Sequence, residues 1–214
     1  MRRFSLLVAA AITLCAIAAA GHTQAADAVE VGAVTRLRGD VTVLAAGQTK
    51  TLAVDTEIAI GDRLKTGPGA RLEVKFFDGT LLTLGESADF TIDELVVTPG
   101  KGEALFTRTA GALRLLAGAV AKQADHKVEI ASNAGTLGIR GTDVWGGTVK
   151  PGSQLDVFLI EGAVEVRTPA GSVVLDKPGL GTSITAVGGA PAPAVQWAKP
   201  LRDQAIATVS FDTP

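Results

Sequence analysis

Cysteine and histidine, which most often supply nucleophiles, bases and metal ligands, are nearly absent from this 214-residue sequence. The single cysteine, Cys15, lies in an apolar N-terminal stretch that is typical of an export signal, so the chain left after its removal has no thiol. Disulfide bonds and thiolate catalysis are therefore excluded for that chain. Of the two histidines, His22 lies beside the expected cleavage point and His126 lies in a polar connection. We interpret His126 as a solvated loop residue rather than a metal ligand or a base.

Beyond its N-terminus, the sequence has no apolar run long enough to span a bilayer. Arg2 and Arg3 precede an apolar run over residues 6–20, and small residues follow, which is the arrangement of a signal peptide. We predict a signal peptide over residues 1–25, a mature chain that begins between Gly21 and Asp27, and a periplasmic or secreted location. An uncleaved membrane anchor is the alternative.

A block of basic residues is also missing. The mature chain would carry 18 basic residues, the 20 of the sequence less Arg2 and Arg3, against 22 acidic ones, for a net charge of −4. Nucleic acid and anionic membrane surfaces are therefore poor candidates for partners.

From Val29 onward, the hydrophobic pattern has a period of two, which predicts β-strands. Residues 71–76 alternate three apolar with three charged side chains, and Asp78-Gly79 separates them from a second apolar run, which predicts a hairpin. Turn signals recur at short intervals. We therefore predict an all-β domain over residues 29–187, a sandwich or rolled sheet of many short, mostly antiparallel strands.

Two segments are less regular. Residues 103–120 could form a helix, but glycines interrupt them, and we favour two strands joined near Ala110-Gly111. Residues 188–214 read as a Gly/Ala/Pro linker and a C-terminal tail. In that tail, apolar residues recur every four positions and predict a short helix docked on the β domain, with a frayed tail as the alternative; they are Trp197, Leu201, Ala205 and Val209.

The sequence contains two internal echoes. Residues 39–43 (Gly-Asp-Val-Thr-Val) resemble residues 162–166 (Gly-Ala-Val-Glu-Val), and residues 60–64 resemble residues 180–184 in the same order. An internal duplication and a chance recurrence of short strand patterns both remain open.

Residues 133–145, N-A-G-T-L-G-I-R-G-T-D-V-W, place three glycines three apart between two apolar strands. Arg140 lies between two of these glycines, and its planar guanidinium can reach a carbonyl or a carboxylate. We expect Arg140 to be buried and paired with Asp143 or a more distant acid; the competing interpretation makes it an exposed ligand contact. Trp145 is read as a core residue, with stacking on a sugar ring as the alternative. The candidate binding residues are Arg140, Thr142, Asp143 and Trp145.

No pattern of catalytic or cofactor chemistry is present. The glycine spacing G-x-x-G-x-x-G differs from the G-x-G-x-x-G of dinucleotide sites, and no G-x-S-x-G or Asp-x-Asp motif occurs. Asp89, Asp93 and Glu94 form a small acidic cluster that we read as a solvated strand edge. We therefore expect no enzyme activity, no catalytic residues, no cofactor and no metal.

Two blocks carry a family resemblance. Residues 60–67 (I-G-D-R-L-K-T-G) with the F-F-D-G-T hairpin at 76–80, and G-I-R-G-T-D at 138–143, resemble the FecR domain over roughly residues 31–187. One departure is Ser132-Asn133, where the family often has Thr-Pro before the glycine motif.

The resemblance implies an all-β domain on the far side of the inner membrane. In the iron-uptake regulators of this family, such a domain relays a signal between an outer-membrane receptor and a cytoplasmic sigma factor. This chain has no anti-sigma segment and no second membrane helix. We therefore expect an exported binding module, a sensory or scaffold component that contacts an envelope protein. A glycan-binding or glycan-modifying protein is the alternative, and a purely structural surface protein ranks third. The oligomeric state is left open.

Overall fold

The computed structural model describes residues 28–212, so the predicted signal peptide and its cleavage region lie outside the described residues. Within this range, the chain forms sixteen strands, one 3-10 helix and one α-helix. The strands are β1 (Glu30–Arg38), β2 (Val41–Ala45), β3 (Gln48–Thr51), β4 (Glu57–Ala59), β5 (Arg63–Thr66), β6 (Arg71–Phe76), β7 (Leu81–Leu84), β8 (Asp89–Thr98), β9 (Lys101–Ala110), β10 (Leu113–Leu116), β11 (Asp125–Ser132), β12 (Thr136–Gly147), β13 (Leu155–Thr168), β14 (Gly171–Leu175), β15 (Leu180–Ile184) and β16 (Val195–Gln196). The 3-10 helix, η1 (Ala119–Lys122), lies between β10 and β11, and the α-helix, α1 (Lys199–Ala207), follows β16. The predicted all-β class and the short C-terminal helix are confirmed.

The strands form one curled sheet. Its main path runs β3-β2-β5-β8-β9-β11-β12-β10-β7-β6-β1-β4, and β13 branches from β12 to carry β14 and β15, the second of which pairs with β16. Among the strand pairs of residues 28–212, β9 and β11 are parallel and the others are antiparallel. No helix in the same range is long and apolar enough to cross a membrane.

The predicted hairpin at Asp78-Gly79 is confirmed, because β6 and β7 pair as antiparallel strands on either side of it. Gly79 has a φ of +84°, a conformation that glycine adopts without strain. The Asp78 carboxylate accepts the backbone N–H of Thr80 at 3.0 Å and that of Val120 in η1, also at 3.0 Å. The turn of this hairpin therefore also holds η1 in place.

Residues 103–120 form two strands rather than a helix, as predicted. β9 ends at Ala110 and β10 begins at Leu113, on either side of Gly111 with its φ of +77°. The two strands do not pair with each other, since β9 lies between β8 and β11 and β10 lies between β7 and β12.

The echo between residues 39–43 and 162–166 corresponds to a structural repeat. The β2–β3 hairpin pairs Thr42 with Thr51 and Val43 with Lys50, and the β13–β14 hairpin pairs Glu165 with Val174 and Val166 with Val173. Every partner is displaced by 123 positions, so the two hairpins share one register. Gly39 and Gly162 occupy equivalent positions, and both have a positive φ. The repeated sequence therefore folds twice into the same local structure.

A second apolar cluster joins the C-terminal segment to the sheet. Trp197 is buried, stacks on Phe158 with ring centroids 5.5 Å apart, and meets the edge of Trp145 at 6.2 Å. Ala205 and Val209, the third and fourth residues of the predicted stripe, are buried in the same cluster. The segment after residue 188 is thus packed into the molecule and completes a core of its own.

Candidate functional site

A β-bulge in the middle of β12 affects which side chains of the glycine-rich segment face the core and which face the surface. Arg140 pairs with Ala163 of β13, but Asp143 pairs with Glu161, so two residues of β12 face one residue of β13. Gly141 and Gly162 meet at this bulge with φ values of +59° and +84°. An extra residue in one strand resets the in-out alternation of its side chains. The bulge therefore separates a first half of β12, in which buried and accessible side chains alternate, from a second half that is buried throughout.

Arg140 lies in the first half of β12, on its exposed face. Its side chain is 73% exposed and makes one long contact, 3.9 Å from Nη2 to Oε2 of Glu165. The expectation that Arg140 is buried is therefore wrong, and of the two expected partners its contact is with a more distant acid, Glu165, rather than with Asp143. Buried Ile139 points into the core, and the alternation of a strand puts Arg140 on the opposite face.

Thr142, Asp143 and Trp145 lie on the buried half. Thr142 donates its hydroxyl to the carbonyl of Glu161, and the Nε1 of Trp145 donates to Oγ1 of Thr208 at 3.0 Å. Trp145 is 0% exposed, which agrees with its interpretation as a core residue and leaves no ring face for a sugar. Of the four candidate binding residues, Arg140 alone is accessible to a partner.

Asp143 forms a partly buried ion pair with a residue that the sequence did not suggest. Arg114, on the neighbouring strand β10, donates from Nε and Nη2 to the two carboxylate oxygens at 2.9 and 2.6 Å. The hydrogen bonds that Arg114 donates to Asp143 raise the pKa of the Arg114 guanidinium, although its partial burial acts in the opposite direction. Asp143 thus fastens β12 to β10 and has a structural role.

Around Arg140, the outward side chains of β11, β12 and β13 form a polar surface, which we call the Arg140 face: Lys127, Glu129, Gly138, Arg140, Glu165 and Arg167. Gly138 lies in register with Glu129 on one side and Glu165 on the other. These residues line an open cleft of about 320 Å³, together with half-buried His126.

Arg167 binds both glutamates across Gly138. It donates to Glu129, and to Oε2 of Glu165 at 3.2 Å. A Cβ on residue 138 would lie 3.0 Å from Nη1 of Arg167, so glycine leaves the space that this guanidinium fills. Partial burial lowers the pKa of Arg167, but the hydrogen bonds and charges of Glu129 and Glu165 outweigh it and raise that pKa. The Arg167 guanidinium is therefore bound to Glu129 and Glu165, whereas Arg140, at the border of the cleft, makes a single long contact.

The sequence interpretation missed Glu129, Glu165 and Arg167. The alternation Val164-Glu165-Val166-Arg167 could have placed Glu165 and Arg167 on one face, but their position beside Arg140 depends on the β12–β13 register. His126 belongs to β11 rather than to a loop, and its Nδ1 lies 2.9 Å from the carbonyl oxygen of Gln123.

The acidic cluster is only partly solvated. Asp89 accepts two hydrogen bonds of 2.6 Å from Arg63, and these lower the pKa of its carboxyl. Within residues 28–212, no group of three or more His, Cys, Asp or Glu side chains could hold a metal ion.

Comparison with known proteins finds a family match for the central part of this chain. The sequence profile of the FecR protein family matches residues 62–165, which include β12, Arg140 and Glu165. No curated protein matches the chain.

Two solved structures share the fold. Both are of a proposed anti-sigma factor from Parabacteroides distasonis, with TM-scores of 0.52 and 0.50 and 13% sequence identity. The similarity covers 63% of this chain and 59% of that protein, so the chain spans about three fifths of the length of its structural relative. At 13% identity, the likeness concerns the fold. The family match and the β12 motif agree, and residues 62–165 of the chain form a FecR domain.

Proposed function

We propose that the protein is an exported, non-enzymatic binding module, a sensory or scaffold component of the cell envelope that contacts another protein through the Arg140 face. The FecR domain supports the sensory or regulatory role. The signal-peptide pattern of residues 1–25 supports export. The observation that carries the proposal is the exposure of Arg140, the one accessible residue among the four candidates of the glycine motif.

The charges of the Arg140 face suit a protein partner. A 3.9 Å contact between exposed charges contributes little to stability, so Arg140 can exchange Glu165 for a carboxylate of a partner at small cost. A planar guanidinium then binds that carboxylate through two parallel hydrogen bonds. Lys127, whose side chain is 68% exposed, adds a second cation on the neighbouring strand.

The distribution of aromatic rings favours a protein over a glycan. Sugar rings are usually held by aromatic side chains that line a groove. Among residues 28–212, Phe77 is the one exposed aromatic residue, and it lies at the tip of the β6–β7 hairpin. The cleft of the Arg140 face has no aromatic residue in its lining.

Photo-crosslinking in intact cells tests the contact. A photoreactive amino acid replaces Arg140 in one variant and Lys50, exposed on β3, in a control variant. We expect a discrete protein adduct from position 140 and none from position 50. Adducts to polysaccharide from position 140, or equal labelling from both positions, would contradict the proposal.

Export is tested separately by N-terminal sequencing of the protein from cell fractions. We expect a mature protein that begins between Gly21 and Asp27 in the periplasmic or secreted fraction. Recovery of the intact chain in the membrane fraction would support an uncleaved anchor instead.

A further inference from the structure

One free edge of the sheet lacks the protection that the others have. Within residues 28–212, the strands that pair on one side only are β3, β4, β14 and β16. Exposed strand edges are usually protected by charge, proline or short length, because an unprotected edge pairs with other chains. β3 contains Lys50, β4 has three residues and begins with Glu57, and β16 has only two residues. β14 has five residues, Gly-Ser-Val-Val-Leu, with neither charge nor proline within the strand; Asp176, Lys177 and Pro178 follow its last residue.

The internal repeat provides a direct comparison for this edge. Because the β2–β3 and β13–β14 hairpins share one register, Lys50 corresponds to Val173 and Thr51 to Val174. The same structural position is thus charged and polar in the first hairpin and apolar in the second. Val174 is 55% exposed, so its side chain is accessible to a second chain at this edge.

We infer that β14 is a self-association edge, at which a second copy of this chain pairs antiparallel with the first. Two copies related by a two-fold axis bring the same strand to itself, so an uncharged strand meets no like charge there. Pairing about Val174 would also set Ser172 of each copy opposite Asp176 of the other, where a hydroxyl can donate to a carboxylate.

The surface area that the β14 edge can bury limits the affinity of the association. A contact along five residues buries much less than the roughly 1,200–2,000 Å² of a stable protein interface. The dimer is therefore weak and forms where the local concentration of the chain is high.

Self-association has a consequence for the Arg140 face. Val174 is paired with Glu165, and Glu165 with Gly138, and paired residues of neighbouring strands point to the same face of a sheet. The Val174 side chain therefore lies on the same side of the sheet as the Arg140 face. In a continuous sheet with a two-fold axis perpendicular to it, both Arg140 faces point the same way. Five strand spacings separate the two β12 strands, or about 24 Å. The dimer would present two binding faces side by side and gain avidity for a repeated partner. This consequence rests on the proposed function, whereas the self-association does not.

Sedimentation velocity of the purified protein tests the inference with a matched pair of variants. Val174→Lys introduces the missing charge on an exposed side chain, opposite Glu165 of the same molecule, so the fold is retained. Thr51→Lys makes the equivalent change on β3. We expect the sedimentation coefficient of the parent and of Thr51→Lys to rise between about 10 µM and about 1 mM, the range of a weak interface. Val174→Lys should keep the monomer value throughout.

Hydrogen exchange gives a second measurement on the same samples. We expect the backbone amides of Ser172 to Leu175 to exchange more slowly at the higher concentration in the parent and at an unchanged rate in Val174→Lys. A parent that stays monomeric to about 1 mM, or a Val174→Lys variant that associates like the parent, would overturn the inference. Loss of association in Thr51→Lys would also overturn it. Because no partner is added, these outcomes do not depend on whether the Arg140 face binds another protein.

Discussion

The ion pair of Asp143 with Arg114, rather than with Arg140, leads to a quantitative prediction. Arg114→Gln removes the donor of two short hydrogen bonds and leaves a carboxylate that is 7% exposed without its cation. Breaking a fully buried pair costs about 3–5 kcal/mol. The Arg114 side chain is 39% exposed, so water reaches part of the site, and we expect a loss of about 2 kcal/mol in the free energy of unfolding. Arg140→Gln removes an exposed contact and should cost less than about 0.5 kcal/mol.

Urea unfolding of six proteins measures both the losses and the coupling: the parent, the three single variants Arg114→Gln, Arg140→Gln and Asp143→Asn, and the two double variants that combine Asp143→Asn with each arginine change. We expect a coupling of about 1–2 kcal/mol between Arg114 and Asp143 and none between Arg140 and Asp143. Arg140→Gln is the matched control, because it makes the same arginine-to-glutamine change at a residue on the same strand as Asp143. The reasoning fails if Arg140→Gln destabilises the protein as much as Arg114→Gln does, or if the coupling belongs to Arg140.

Three further predictions follow from the packing and the charges. Trp197→Ala removes a buried ring and should lower the free energy of unfolding by about 3 kcal/mol in urea; a change below about 1 kcal/mol would show that the C-terminal segment is not part of the core. Gly138→Val places a Cβ in the space filled by Arg167 and should displace that guanidinium, which NMR of the Arg167 Nε–H group detects as a shifted resonance; an unchanged resonance would contradict this placement. The hydrogen bonds from Arg63 are the first cause of the lowered pKa of Asp89, and the ionised carboxylate therefore stabilises the fold at pH values above the ordinary carboxyl pKa of about 4. This contribution is lost as the pH falls through the lowered pKa. Asp89→Asn should therefore flatten the fall in melting temperature below about pH 4, and an unaltered pH profile would argue against this role.

Local patterns in the sequence predicted local structure well. The alternation of residues 71–76 and the Asp-Gly turn were sufficient for the β6–β7 hairpin, because both the strand period and the turn conformation are properties of adjacent residues. The spacing of Trp197, Leu201, Ala205 and Val209 was likewise sufficient for α1, although not for the aromatic cluster that it covers.

The position of Arg140 could not be predicted in the same way. Strand alternation places it opposite buried Ile139, but its separation from buried Thr142 and Asp143 depends on a bulge formed where Gly141 meets Gly162, two residues that are 21 positions apart in sequence. The partner of Asp143 depends on the pairing of β10 with β12, which brings Arg114 from 29 positions away. Such registers are set by the packing of the whole sheet, and a change of one position moves every side chain to the other face.

The packed C-terminal segment has a consequence for how the chain folds. Nη1 of Arg38 donates to the carbonyl oxygen of Phe211 across 173 residues, and Trp197 closes the cluster begun by Trp145 and Phe158. Contacts between residues so distant in sequence form late and slowly, since the entropy of closing the long loop must be lost before the contact forms. During synthesis, the second core stays open until the segment from Trp197 to Val209 has emerged. A chain cut short before Trp197 would therefore leave the faces of Trp145 and Phe158 exposed and become a substrate for aggregation and proteolysis.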